Sequence, residues 1–555
     1  MTSDQDSCRA SFALARHARL LGATLLCGAA LLGPRPAAWA AGAGSDWPMF
    51  GQNARNTAAQ AGDTTISPAN VAQLAVKWTY TTQGDVSARA AVVGGIVYFP
   101  DWGGYLHAVK AADGQAAWSV DLASYGLTGS GDGHYHARTT PAVVKGVLYV
   151  GTQEGAWLLA INAATGALVW KTQLESAQND AFALITSSPT VVGGTVYVGV
   201  ASLEEGIAGF DPNYPCCKAR GSVAAVQANN GRLKWKTYTL PAGYSGAGVW
   251  GSNPAVDTGS GLVYVGTGNN YSHPQSDAPS SIPGVSYGQC IADGGSAASC
   301  NSADDHVDAV LALDIDTGAI RWSRLLVNWQ QPGVTDGSDD WNVACFIPPF
   351  TNCPSNPGPD YDFASAPNLI TYQTAKGPKT ILGAGQKSGI YYALDPKTGT
   401  VLWQTQVGPG SSLGGMEWGS ATDGKRIYVQ VANFYGMPTP IGTYAGLWAA
   451  LDPATGAILW STADPNGSIA LGSVAVNNGV LYAPSMSGTA ATDPTMLALD
   501  AATGQLLWSY AAGSSVVAGA TIVGGVVYWG SGYAHLGIPG YTPNNRFYAF
   551  SLNGQ

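Results

Sequence analysis

The sequence predicts an all-β protein, an eight-bladed β-propeller of four-stranded antiparallel blades whose ring is closed by the N-terminal strand. Three observations carry this. A phrase of the form A-x-D-x-x-T-G-x-x-x-W recurs along the chain, and alternating apolar strands joined by short glycine turns fill the intervals between its copies. The last copy is divided between the two ends of the chain.

The clearest copies are ALDAATGQLLW (ending at Trp508), ALDPATGAILW (Trp460), ALDPKTGTVLW (Trp403) and ALDIDTGAIRW (Trp322). Degraded copies end at Trp235, Trp170 and Trp118. Each reads as a strand end, a tight turn in which Thr-Gly or Asn-Gly supplies the left-handed position, and a second strand ending on an indole. The chain finishes YAFSLNGQ with no Trp to follow, whereas LAVKW near the start has Trp78 with no hairpin before it. The two halves make one blade, and closing the ring in this way removes exposed sheet edges. The intervals Trp235–Trp322 and Trp322–Trp403 are about twice the 40 to 50 residues that four short strands need. They carry insertions, which in repeat folds gather on the functional face.

In chain order, Arg9, Arg16 and Arg19 precede an apolar run from Leu20 to Leu32 and then Ala38-Trp39-Ala40, which reads as a signal peptide over residues 1–40 cleaved after Ala40. The run is too short to span a membrane, so a periplasmic or secreted protein is expected, with the propeller over 41–555. DWPMFGQNARNT (Asp46–Thr57) is a polar leader with an aromatic anchor. ISPANVAQL (Ile66–Leu74) reads as a short helix capped by Ser67. Inner hairpins follow, such as AVVGGIVYF, AVVKGVLYVG, TVVGGTVYVG and TIVGGVVYWG. The long stretches 206–220, 270–305 and 328–365 are either lids or disordered.

Only 11% of the 555 residues are charged, against about 25% in ordinary globular proteins, while Gly (73) and Trp (18) are abundant. A net charge of −10 without a basic run argues against a nucleic-acid partner. Six cysteines remain after residue 40, in a compartment where disulfides persist. Proximity favours Cys290–Cys300 and Cys345–Cys353, leaving Cys216-Cys217 as either a vicinal disulfide or two thiols. No CxxCH occurs, so the chain carries no covalent c-type haem.

The repeated phrase resembles the tryptophan-docking motif of the quinoprotein alcohol dehydrogenases, which bind pyrroloquinoline quinone (PQQ) and calcium. DWPMFG, NYPCC, RGSVAA, DDWNVACF, GQKSGIYYALD, GGMEWG and VYWGSGY are similar to the polyvinyl alcohol dehydrogenase branch. The resemblance implies Glu204 of SLEEG and Asn269 of GTGNN as calcium ligands, with Glu205 as the competitor of Glu204. It implies Trp250 as the cofactor floor, Arg138 and Thr186 at the rim with Ser202 in the adjoining loop, Lys387 of GQKSG reaching the quinone oxygens, and Trp418 of GGMEWG beside the cofactor. The family carries its base in a D-x-W-D phrase, and here that place reads Asp339-Asp340-Trp341-Asn342. Asn342 can ligate calcium and cannot take a proton. The base is therefore expected among Glu417, Asp339 and Asp340, with Glu417 preferred. The function so implied is oxidation of secondary hydroxyls, on a polyvinyl alcohol-like substrate, with electrons leaving for a separate carrier such as a cytochrome c. The rival is a non-catalytic propeller serving as a protein-binding scaffold in the cell envelope.

Overall fold

In the computed structural model, residues 46–326, 339–538 and 540–555 are described. The expected signal peptide and its cleavage point lie outside them. Eight sheets follow one another around a ring, spanning 91–121, 142–173, 190–238, 255–325, 368–406, 421–463, 475–510 and 521–552. Within each, the strands pair antiparallel in chain order from the axis outward. The last sheet takes its outermost strand, Leu74–Thr81, from the start of the chain, with Trp78 opposite Ala549 and Thr79 opposite Tyr548. The ring therefore closes as the split repeat predicts. The innermost hairpins turn through pairs with positive φ, Gly94-Gly95 at 59° and 77° and Lys145-Gly146 at 51° and 78°. This is the twist-matched two-residue turn that glycine makes accessible.

The repeated letters join one blade to the next. Indole Nε1 of Trp78, Trp118, Trp170, Trp235, Trp322, Trp403 and Trp460 each donates to a backbone carbonyl in the following blade's repeat, at 3.0 to 3.2 Å. Trp508 closes the set by donating to Leu74 O at 2.9 Å, on the strand from the other end of the chain. The repeat glycine lies flat against the indole of the preceding blade. A Cβ at Gly318, Gly399, Gly456 or Gly504 would meet ring atoms at 2.5 Å, and φ there is 67° to 75°. Asp452 Oδ1 accepts from Ala454 N and Thr455 N at 2.9 Å, the local turn that presents the carbonyl and the glycine.

The leader does more than anchor. Its carbonyls from Trp47, Pro48, Ala54, Arg55, Thr57 and Ala58 accept, at 2.7 to 3.0 Å, the N–H groups of Val92, Val143, Val256, Leu369, Thr422 and Val476 in the innermost strands of six blades. Trp47 is completely buried there. The helix expected over Ile66–Leu74 shrinks to a 3₁₀ turn, Val71–Gln73. The Ser67 backbone N–H is held by Asn70 Oδ1, so the serine hydroxyl does not cap. All three disulfides are formed, including Cys216–Cys217. The 270–305 insertion is packed on the propeller: Tyr244, Ala278, Tyr287, Cys290 and Cys300 share one apolar cluster.

The docking contacts set the expected response to substitution. Gly504→Ala, which forces a methyl into the Trp460 ring at positive φ, should cost about 2 to 4 kcal/mol. Trp460→Phe, which removes one hydrogen bond and part of a ring, should cost about 1 to 2 kcal/mol. Thermal unfolding checks the order, and a Gly504→Ala protein as stable as the parent would refute it.

Candidate active site

The GQKSG turn, between the strands Gly377–Gly385 and Ile390–Leu394, carries Lys387 to the axis. Its ammonium lies 2.8 Å from both Asp360 Oδ1 and Asp362 Oδ2 and is almost fully buried. Burial alone would favour the neutral amine. Asp360, Asp362, Glu417 and Glu205 outweigh it and hold the Lys387 pKa well above that of an ordinary lysine.

Asp362 is held from every side. Oδ2 also accepts from Trp250 Nε1 at 2.9 Å and Oδ1 from Asn269 N at 2.6 Å. The approach requires Gly268 of the GTGN strand end, where a Cβ would come within 2.7 Å of the carboxylate. Asn269 donates its amide hydrogens to Asn270 O (2.9 Å) and Trp341 O (2.7 Å), which presents Oδ1 as the acceptor end. Trp250 packs edge-on against Trp418 at 5.4 Å, and Thr186 Oγ1 donates to the Trp250 carbonyl at 2.8 Å. At the rim the Arg138 guanidinium stacks 4.2 Å over Trp418 and donates to Tyr533 Oη at 2.7 Å. Among the described residues no carboxylate pairs with it. Glu417 lies beside Lys387, Asp362 and Arg138, and its burial raises its pKa to about 7 against the pull of Lys387. Lys387, Trp250, Asn269, Arg138, Thr186, Trp418 and Glu417 are thus brought together.

Four of the expected residues, Glu204, Ser202, Asn342 and Asp340, are held by other contacts. Glu204 opens the helix Glu204–Phe210, and its buried carboxylate accepts from Tyr214 Oη (2.6 Å), Lys218 N (2.9 Å) and Ala219 N (2.6 Å). It anchors the loop containing the Cys216–Cys217 disulfide, which packs on Ala208 and Tyr271. Successive helical residues point about 100° apart, and it is Glu205 that faces Lys387, Asp362, Asp339 and Glu417, its pKa raised to about 8 first by burial. Ser202 Oγ donates to Asp180 at 3.0 Å and accepts from Glu204 N, so it supports this turn. Asn342 caps the 3₁₀ turn Val343–Cys345 through Oδ1 and donates to Tyr271 O and Asn352 O at 2.8 Å, which ties its side chain to the turn and the neighbouring loops. Asp340 pairs with His273 Nδ1 at 2.5 Å on the far side of the loop.

Asp339 is buried nearer the centre. It accepts from Asp360 N (2.9 Å) and Tyr361 N (2.8 Å), and faces Asp308, whose pKa is driven well above the usual carboxylate range by burial and by Asp339. It therefore shapes the loop that presents Asp360 and Asp362. Those two residues were missed in the sequence. The available signal was the step Tyr361-Asp362, an aromatic residue followed by Asp upstream of GQKSG, which DDWN outcompeted because it contains a Trp.

Four carboxylates, of Glu205, Asp360, Asp362 and Glu417, act on the Lys387 ammonium, and Asp308 and Asp339 lie behind Asp360 and Asp362. Among the described residues no three His, Cys, Asp or Glu side chains converge as a closed metal cage. A hard cation here would take the Glu205 carboxylate and Asn269 Oδ1 and complete its shell with oxygens from a bound ligand. The aromatic floor and the unpaired Arg138 fit a flat polycarboxylate.

A family model described as outer membrane protein assembly factor BamB, the PQQ_2 repeat, matches residues 62–324 and 386–540. A polyvinylalcohol dehydrogenase of a Pseudomonas species is 29% identical, over 88% of this chain and 74% of that protein. Another, from Sphingopyxis sp. (strain 113P3), is 31% identical over 71% of this chain and 55% of its own length, so this chain spans only part of these relatives. The solved quinohemoprotein alcohol dehydrogenase of Comamonas testosteroni superposes with a TM-score of 0.65 at 21% identity, over 92% of this chain and 81% of that one, which shows the shared fold. With the repeat matched along most of its length, the chain belongs to the PQQ-repeat propellers and, among them, to the quinoprotein dehydrogenase superfamily that includes the polyvinyl alcohol dehydrogenases.

Proposed function

We propose that this protein is an exported, PQQ- and calcium-dependent dehydrogenase of secondary alcohols, with a hydroxylated polymer of the polyvinyl alcohol type as substrate and an external carrier, such as a cytochrome c, as electron acceptor. The observation that carries the proposal is Asp362, a carboxylate clamped between Lys387, the Trp250 indole and the Asn269 backbone at the centre of an acidic, aromatic-floored site. Bound PQQ supplies a two-electron acceptor, and calcium the Lewis acid that polarises its carbonyl.

The chain's own residues do the rest. Glu205 and Asn269 Oδ1 hold the cation, Trp250 supports the ring, and Arg138 neutralises a cofactor carboxylate at the rim. Asp362 accepts the proton of the substrate hydroxyl, a role that needs a fixed carboxylate within hydrogen-bond reach. Lys387 fixes the direction of that carboxylate through the 2.8 Å ion pair. Glu417 is adjacent to both Lys387 and Arg138. Export by the expected signal peptide agrees with the three disulfides.

Purified protein given PQQ and calcium should develop cofactor absorbance and reduce an artificial acceptor when supplied with a secondary alcohol. A protein that binds neither would return the scaffold reading. Glu205→Gln should weaken calcium binding at least tenfold by titration, whereas Glu204→Gln should lower the melting temperature yet still saturate with calcium. The reverse pattern would reinstate Glu204 as the ligand. Steady-state turnover should fall about 10²- to 10⁴-fold in Asp362→Asn, by less in Glu417→Gln, and by no more than about threefold in Asp340→Asn. Normal turnover of Asp362→Asn would remove it as the base.

A further inference from the structure

Next to the candidate active site lies a cavity lined by its residues Trp418, Arg138 and Thr186 and by Phe50 of the leader. Arg89, Thr140, Ser188, Asn253 and Ser473 are among the other residues of its wall. The centre of a water-sized molecule has about 20 Å³ in which to move, room for one monatomic ion or a water.

The lining has one chemical character. Among the described residues, three of the buried polar atoms without any hydrogen-bond partner belong to residues that line this cavity: Arg89 Nε, Thr140 Oγ1 and Trp418 Nε1. Two of them can only donate, and the threonine hydroxyl can donate. Ser188 Oγ already accepts from Thr140 N at 2.9 Å, so its hydrogen is available too. Asn253 Oδ1 accepts from Ser188 N, which turns the amide nitrogen the other way.

Arg89 is 2% exposed and stacks against Trp47 and Phe50. Its Nη atoms donate only to neutral acceptors, Phe50 O (2.8 Å), Ser473 Oγ (3.2 Å) and Val474 O (2.8 Å). No described carboxylate pairs with it. Burial draws its pKa down to about 9, which leaves it cationic at neutral pH. The fold makes space for the group, since a Cβ at Gly519 would come within 2.3 Å of Arg89 Nη2. A buried charge without a counter-ion is strongly unfavourable.

We propose that this cavity is a binding site for one small monovalent anion of the chloride class, the counter-ion of Arg89, held by Arg89 Nε, Thr140 Oγ1 and Trp418 Nε1. A water would satisfy the donors and leave the guanidinium charge uncompensated, and the space is too small for a phosphate. Arg89, Thr140 and Ser188 belong to the entries of the first three blades, and the cavity shares Arg138, Thr186 and Trp418 with the candidate active site, so the anion is tested in protein free of PQQ and calcium.

The test uses the full-length mature protein without PQQ or calcium. At matched ionic strength, sodium chloride and sodium bromide should raise the unfolding midpoint saturably over sodium gluconate, by about 2 °C or more. Crystals grown in bromide should show one anomalous peak within hydrogen-bond reach of Arg89 Nε. Thr140→Val removes a hydroxyl that has no protein partner, so it should fold normally in gluconate and raise the half-saturating chloride concentration at least fivefold. Arg89→Met should abolish the response. Equal midpoints in chloride and gluconate, a chloride response unchanged in Thr140→Val, or a bromide-free peak occupied by water would each overturn the proposal.

Discussion

Everything in this protein depends on one contact made eight times, an indole that leaves its own blade to donate to a backbone carbonyl of the next. A four-stranded sheet with two apolar faces cannot be stable alone, so each blade needs a neighbour on both sides. The docked tryptophan fixes the distance and rotation between neighbours, and the repeat glycine gives the ring a flat surface to lie on. Because the eighth indole reaches the strand from the chain's beginning, the same contact that sets the spacing also locks the ring. The leader adds a second constraint at the axis, where its carbonyls take up N–H groups from six blades that would otherwise face an unfilled centre.

A ring fixed in this way can concentrate charge that no ordinary core would tolerate. The loop of the third blade sends Glu205 toward Lys387, the connection from the fourth blade to the fifth sends Asp360 and Asp362, and that from the fifth to the sixth sends Glu417. The resulting carboxylate excess is the property that suits the site to a hard cation, and the pair Asp362–Lys387 keeps one carboxylate in a fixed orientation within it. In the adjoining cavity the polarity reverses. Donors and an uncompensated guanidinium line it, so the two neighbouring regions favour ions of opposite sign. Trp418 and Arg138 border both regions.

The eight blades and the closing strand were legible from the repeat phrase and strand alternation, and the two loop disulfides from cysteines close in sequence, because each of these follows from local chemistry. Lys387, Asn269, Trp250, Arg138 and Glu417 were singled out by the family resemblance of their short motifs rather than by the repeat, and the structure brings them near one another. Which acid faces the axis was decided only by the tertiary structure. Glu204 and Glu205 are equivalent in composition, and the choice between them depends on where the helix Glu204–Phe210 begins and on the Tyr214, Lys218 and Ala219 donors brought to Glu204 by a loop over ten residues away. Asn342 was removed from the site by its capping bond, and Asp362 was placed there by contacts 93 and 112 residues distant in the chain. A carboxylate's direction is set by the donors that surround it, and those donors come from different blades, so it exists only once the ring has closed.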